Sequence, residues 1–230
     1  GKAFTKVVRE ITQAAKLGGG LVDGNPRLRL AMSKAREVNL PKDKIEQAIK
    51  KGTGELPGVS YEEAVLEGYG PGGAAILVQA LTDNKNRTTA ELRNIFAGHN
   101  GNVAGAGSVS WQFQKKGVVL ISAKLIDEDR LMSLVLDAGA DDLTRDGDVY
   151  TITTDPQHLE RVKEALTAQS LAWDSADLTL VASSSVRVDN PSQAKQLLTL
   201  LDKLEEHDDV QHVYANFDIP DAILAEHAAA

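Results

Sequence analysis

The residues of this 230-residue chain best placed to do chemistry are lysines and arginines set at helical intervals near its start. Lys2, Lys6, Arg9 and Lys16 share one side of a helical repeat, with Gln13 filling the gap in the row. Cations spaced in this way meet the phosphates of a nucleic acid, so these four are the first candidates for phosphate contact. Arg27, Arg29, Lys34, Arg36, Lys42, Lys50 and Lys51 form a second rank, because some of them will be solvated or paired. Further along, Asn84-Lys85-Asn86-Arg87-Thr88 precedes a helix start, where Lys85 and Arg87 could hold a phosphate. The plainer reading of that cluster is a loop with an N-cap.

Other chemistries fail on context. Gly68-Tyr69-Gly70-Pro71-Gly72-Gly73 has the spacing of a dinucleotide-binding fingerprint, which needs a strand before it and a helix after it. The run from Ala74 to Leu81 is strand-like, so the segment reads as a turn between strands. Gly105-Ala106-Gly107-Ser108 lacks the lysine and the helix of a phosphate-binding loop. The histidines, His99, His158, His207, His212 and His227, form no i, i+4 pair, and there are no cysteines. Glu205-Glu206-His207-Asp208-Asp209 reads as a solvated turn at a helix end. No grouping meets the requirements of a nucleophile with its base, so the expectation is a non-enzyme without metal, cofactor or small-molecule substrate.

The elements that must carry the basic residues are helical. Phe4, Val7, Val8, Ile11 and Ala15 make one apolar stripe over 3–17, ended by Gly18-Gly19-Gly20. Asn25-Pro26 caps a second helix that buries Leu28, Ala31, Met32, Ala35 and Val38, with Arg27 and Lys34 on one flank and Arg29 and Arg36 on the other. A third begins at Pro41, buries Ile45, Ala48 and Ile49, and stops at Gly52. After the Gly/Pro-rich stretch 52–60, strands are expected over 61–68, 74–82 and 108–114, with a helix over 88–98 started by Thr88 and Glu91 as a capping box. Residues 117–182 then show a βαββαβ pattern, the ferredoxin-like unit. A strand over 183–188, a Leu-rich helix capped by Asn190-Pro191 and a strand over 210–218 follow. The fold class is therefore α/β (α+β). A three-helix domain, 1–56, precedes a middle domain, 57–116 plus 183–220, into which 117–182 is inserted.

Charge is divided along the same line. Residues 1–52 hold 12 Lys+Arg against 5 Asp+Glu, a net of +7, and the rest holds 13 against 28, a net of −15, which together restore −8. Such polarity points to a polyanion bound through one end. Aromatic content of 4% argues against bases stacking across the ferredoxin-like sheet. No apolar run reaches the roughly 18 residues of a membrane span, and the start lacks a signal-peptide core, so a cytoplasmic chain without membrane contact is expected.

Several segments resemble the YebC/PmpR family. They are Gly1-Lys2-Ala3-Phe4-Thr5-Lys6, Arg9-Glu10-Ile11, Gly18-Gly19-Gly20, Asn25-Pro26-Arg27-Leu28-Arg29, Pro41-Lys42-Asp43, Ala48-Ile49-Lys50-Lys51-Gly52, Glu67-Gly68-Tyr69-Gly70-Pro71-Gly72-Gly73 and Leu81-Thr82-Asp83-Asn84-Lys85-Asn86-Arg87-Thr88. The family also carries a short basic, polar segment ahead of the position of Gly1. The resemblance implies three domains, the third inserted in the second, and a regulator of gene expression. Some relatives are DNA-binding transcriptional regulators; others, such as the mitochondrial translational activator of cytochrome oxidase, work at the ribosome. The expectation is a monomeric or weakly associated regulator that acts on translation by binding structured RNA, with rRNA or tRNA on the ribosome as partner. A transcriptional regulator bound to promoter DNA is the first alternative and a protein-interaction scaffold the second.

Overall fold

The computed structural model describes residues 1–230. The apolar stripe of the first segment becomes α1, Lys2–Gly18, which packs on α2, Pro26–Glu37, and α3, Lys42–Thr53. Ile11, Ala14, Leu28, Ala31, Ala35, Leu40 and Ala48 are the buried centre of this helical head. Small residues let the helices approach closely. A Cβ on Gly52 would lie 2.4 Å from the Thr12 carbonyl oxygen, and one on Gly18 would lie 2.7 Å from the Asn25 amide. Asn25 uses that space: its Oδ1 accepts from Leu28 N at 3.1 Å, capping α2, while its Nδ2 donates to Ala14 O at 2.9 Å and Gly19 O at 2.7 Å.

The alternating segments that follow form β1, Glu62–Tyr69, and β2, Ala75–Thr82, an antiparallel hairpin in register from Glu62 opposite Thr82 to Tyr69 opposite Ala75. The glycine-rich segment between them is its turn, closed by Gly73 N donating to Gly70 O at 3.1 Å. Gly72 and Gly73 have φ of 79° and 84°, a region that favours glycine. No helix follows the glycines; β2 does.

The helix after β2 is α4, Lys85–Gly98, and it starts three residues earlier than the capping-box pattern suggests. Asn84 is its cap, accepting from Arg87 N at 3.1 Å, which releases the Thr88 hydroxyl for a buried contact described below. The chain then forms β3, Asn102–Ala104, which sequence alternation did not suggest. The strand expected over 108–114 is divided instead. Val109 is buried, Ser110–Gln112 is a single 3-10 turn, and Phe113 opens the next strand, so Trp111 is 73% exposed and not half-buried.

A return segment completes this part. Of the strand expected over 183–188 only β8, Val186–Arg187, forms. It pairs in parallel with β10, Phe217–Asp218, outside the main sheet. The intervening α7, Pro191–Glu206, and β9, Val210–Ala215, together with α4, close the core. The sheet order is β3-β1-β2-β9, antiparallel throughout, with a bulge in the β2–β9 ladder at Gln79/Ala80. The chain ends in α8, Asp221–Ala229. On the hairpin, Glu67 is 6% exposed and accepts backbone N–H bonds from Gly107, Val109 at 3.0 Å and Ser110 at 2.6 Å. Burial pushes its pKa up, but these donors outweigh it and hold the carboxyl below its ordinary value.

Residues Trp111–Ser184 are a separate compact unit from Gly1–Ser110 with Ser185–Ala230. They form β4, Phe113–Ser122; α5, Glu128–Asp137; β5, Ala140–Asp146; β6, Val149–Thr154; α6, Leu159–Ala168; and β7, Ser175–Ala182. The strand order β5-β6-β4-β7 is that of a ferredoxin-like sheet, with α5 and α6 packed over Val119, Ile121, Tyr150 and Ile152. The β4–β7 ladder runs from Phe113 opposite Ala182 to Leu120 opposite Ser175, so it begins four residues before 117.

We propose that this unit folds on its own. A fragment spanning 111–184 should unfold cooperatively in urea, followed by circular dichroism. A fragment spanning 117–182, which severs the first ladder pairs, should have a lower midpoint. A fragment 111–184 without a cooperative transition would show that the unit needs the rest of the chain.

Candidate nucleic-acid interface

The polar row of α1 turns inward, onto the sheet and α7. Lys2 Nζ donates to Glu206 O and Lys6 Nζ to Glu205 O, the terminal carbonyls of α7. The end of a helix leaves such carbonyls without intrahelical donors and carries a partial negative charge, so lysines are suited to cap it. Arg9 donates to the Asp209 carboxylate and, at 3.0 Å, to Leu81 O, with its guanidinium 5.1 Å from the centre of the Tyr61 ring. Lys16 Nζ donates to Ser60 Oγ at 2.9 Å. All four residues singled out first for phosphate contact thus hold α1 in place. Lys2 and Lys16 remain exposed, and Lys6 and Arg9 are half-buried.

The centre of this seam is Asp209, 1% exposed, in the stretch that the sequence presents as a solvated turn. That reading does not survive: the carboxylate is enclosed by three donor side chains from two elements, α1 and α4. Beside Arg9, it accepts from Arg87 Nη2 at 2.9 Å and Thr88 Oγ1 at 2.6 Å. Burial raises its pKa, but the Thr88 and Arg9 hydrogen bonds and the Arg9 and Arg87 charges bring it below the usual carboxylate value. His207 Nδ1 accepts from Asp209 N at 3.1 Å, so the other ring nitrogen faces Glu91 Oε2, at 2.5 Å. One ligand atom each from Glu91, His207 and Asp209 lie within 4.8 Å of one another, a spacing that a metal ion could bridge. The two guanidinium groups on Asp209 already supply the positive charge there, which makes the cluster an ion-pair network. Arg87 is committed to it through Asp83 at 3.1 Å, Glu91 at 3.4 Å and Asp209. Lys85, in the same cluster as a possible phosphate contact, is exposed at the first residue of α4.

On α2 the two flanks separate. Arg27 pairs with Glu10 at 2.8 Å and with Glu63 of β1 at 2.7 Å, on the flank shared with Lys34. Arg29 and Arg36, seven residues apart on the other flank, are exposed; Arg29 reaches only Val22 O, at 3.4 Å. On α3, Lys42 lies 3.9 Å from Glu46 in an exposed pair, a kind that contributes little. Lys50 and Lys51 are exposed at its last turn, and Lys44, not among the cations singled out from the sequence, is exposed seven residues before Lys51. Arg29, Arg36, Lys42, Lys44, Lys50 and Lys51 therefore form the solvent-facing cation set of the head, and Lys2, Lys6, Arg9, Lys16 and Arg27 form the docked set.

Residues 1–55 match the family described as "TACO1/YebC protein N-terminal domain", and residues 61–217 match "TACO1/YebC second and third domain". A protein of Geobacter sulfurreducens is 52% identical over 219 residues, covering 95% of this chain and 88% of its own length. One of Syntrophobacter fumaroxidans is 50% identical over 224 residues, covering 97% and 90%. Both are named "Probable transcriptional regulatory protein". The crystal structure of a conserved hypothetical protein from Aquifex aeolicus is similar with a TM-score of 0.83 at 44% identity, covering 96% of this chain and 91% of that one.

A carboxylate with a lowered folded pKa contributes stability that is complete above its unfolded value, about 4, and is lost as the pH falls through the folded value. Asp209→Asn should lower unfolding stability at pH 7 by about 3 kcal/mol, the scale for removing one charge of a buried pair. Its deficit against the parent should begin to shrink as the pH falls below about 4, where the unfolded carboxylate takes up a proton, and go on shrinking down through the lowered folded value. Urea unfolding at a series of pH values measures both. A deficit that stays constant into acid would assign the loss to packing and not to charge.

Proposed function

The chain belongs to the TACO1/YebC family, and from that premise we propose that it is a non-enzymatic regulator of gene expression that binds nucleic acid through the outward side of α2 and α3. The observation that carries this reading is the division of the head's cations. The inner set is engaged with the sheet and α7, while Arg29, Arg36, Lys42, Lys44, Lys50 and Lys51 face solvent on a segment of net +7. Arg29 and Arg36, like Lys44 and Lys51, are two helical turns apart, about 10 Å along the axis. That spacing suits phosphates, and phosphate contacts position a protein without reading sequence.

The partner we favour is structured RNA on the ribosome. Specific DNA readout places bidentate Arg, Asn or Gln at base edges from a helix in the major groove, often doubled by a two-fold dimer. The outward residues of α2 instead pair arginines with Leu30, Ser33 and Glu37. The remainder of the chain, at −15, would also be repelled along a long duplex. Regulation of transcription through promoter DNA is the second reading, and the names of the bacterial relatives favour it. No helix of the protein is long and apolar enough to cross a membrane.

Replacing Arg29, Arg36, Lys44 and Lys51 together by Gln should leave the fold intact and reduce the slope of log K against log salt by about 3, at 0.7–0.9 per lost phosphate contact. Filter binding from low to physiological salt checks this, and an unchanged slope would remove the interface from this face. Competition at physiological salt between ribosomes, a candidate promoter and random duplex DNA separates the two partners. Ribosome binding is expected. A promoter preference of about a thousandfold over random DNA, with no ribosome binding, would replace it by the transcriptional reading.

A further inference from the structure

The start of α1 and strand β9 enclose a cleft that the phosphate-binding face does not include. It has a volume of about 430 Å³ and is walled by Lys2, Ala3 and Lys6 on one side, Glu205 at one end and the continuous strand Val210–Tyr214 on the other side. β9 is the last strand of its sheet, so no further strand covers its outer edge. Residues two apart on a strand project to the same face, and His212 and Tyr214 use this to stack: their ring centroids are 5.9 Å apart and their planes are inclined by 24°. The His212 residue keeps exposed surface, yet the surrounding protein desolvates the ring and lowers its pKa, with Glu10 acting against this and Lys34 and Lys6 in the same sense. The shift favours the uncharged imidazole, and the stack sets a π-surface beside ammonium groups. Lys2 and Lys6 each give one hydrogen bond to an α7 carbonyl, and an ammonium has three donors, so both keep capacity for an anion.

We propose that this cleft takes an unstacked nucleobase from a single-stranded end, the base lying on the His212–Tyr214 stack and its phosphate at Lys2 and Lys6. Aromatic platforms beside cations are the general means of holding single-stranded nucleic acid, and they tolerate any base because every base has a π-face. A peptide strand added to the β9 edge would use backbone groups and need neither the ring pair nor the lysines. The assignment rests on the nucleic-acid reading given above and adds to it a preference for a junction between a structured stem and an unpaired tail. It also gives Lys2 and Lys6 two roles, holding α7 and meeting a phosphate.

The test uses the full chain and fluorescence anisotropy with an RNA hairpin that is either blunt or extended by a short tail, the tail being RNA in one arm and DNA in the other. The parent protein should bind the tailed forms about tenfold more tightly than the blunt one, within the range expected for stacking one base. His212→Leu with Tyr214→Leu should abolish that preference while leaving affinity for the blunt hairpin unchanged, and Tyr214→Phe, which keeps the ring, should preserve it. A photoreactive 4-thiouridine at the first unpaired position should cross-link to the peptide containing His212 and Tyr214. Equal binding of blunt and tailed hairpins by the parent would overturn the proposal and leave the α2–α3 interface standing. So would a tail preference that survives the double leucine variant. Absence of binding to either hairpin at low salt would remove the structured-RNA reading itself, and the cleft assignment with it.

Discussion

One buried carboxylate sets the placement of the helical head on its sheet. Asp209 gathers Arg9 from α1, and Arg87 and Thr88 from the start of α4, at the point where the chain turns from α7 into β9. Such a cluster is weak evidence of net stability, because desolvating Asp209 and Arg9 offsets much of the attraction. Its effect is on geometry. A carboxylate with two guanidinium groups and a hydroxyl around it admits one placement of α1 on the sheet, and any slip of the helix would strand a buried charge. With α1 fixed, α2 and α3 are fixed through the head's shared core, and the direction in which their free cations point follows.

Most of the elements could be read in the sequence because they rest on local patterns. The helix stripes, the Asn25-Pro26 and Asn190-Pro191 starts, the hairpin around Gly70-Pro71-Gly72-Gly73 and the βαββαβ order are properties of short windows, and the structure has them. What could not be read depends on partners far away in the chain. A row of lysines and arginines at helical spacing is the same row whether it meets phosphates or the end of α7. Nothing near Arg9 announces that its counter-charge lies at position 209. The acidic run 205–209 likewise looks solvated until the arginines are placed around its last member. The spacing of Thr88 to Glu91 suits a cap, but Asn84 takes that role and the Thr88 hydroxyl goes to Asp209.

Smaller discrepancies have the same cause. Alternation put Val109, Trp111 and Phe113 on one buried face. Glu67 instead draws the backbone of Gly107, Val109 and Ser110 to itself, and the chain turns at 110–112 before β4 starts. β3 is three residues long and contains no alternation to detect; it exists because β1 offers it an edge. The division of the head's cations also lay beyond the sequence. Composition gives a net of +7, but only the docked geometry says which of those charges are left to meet solvent.

The place of β9 in the sheet imposes an order on how the protein comes into being. β2 ends at Thr82 and its neighbour β9 begins at Val210, with the whole unit Trp111–Ser184 made in between. A chain emerging from its N-terminus therefore has every residue of the ferredoxin-like unit before the sheet of the first unit can gain its last strand and Arg9 can meet Asp209. Closing so long a loop is slow. Until it closes, the lysines and arginine destined for α7 and Asp209 are as bare as those of α2 and α3. The nascent protein is consequently more basic at its exposed head than the finished one, and completion of the last strand withdraws part of that charge.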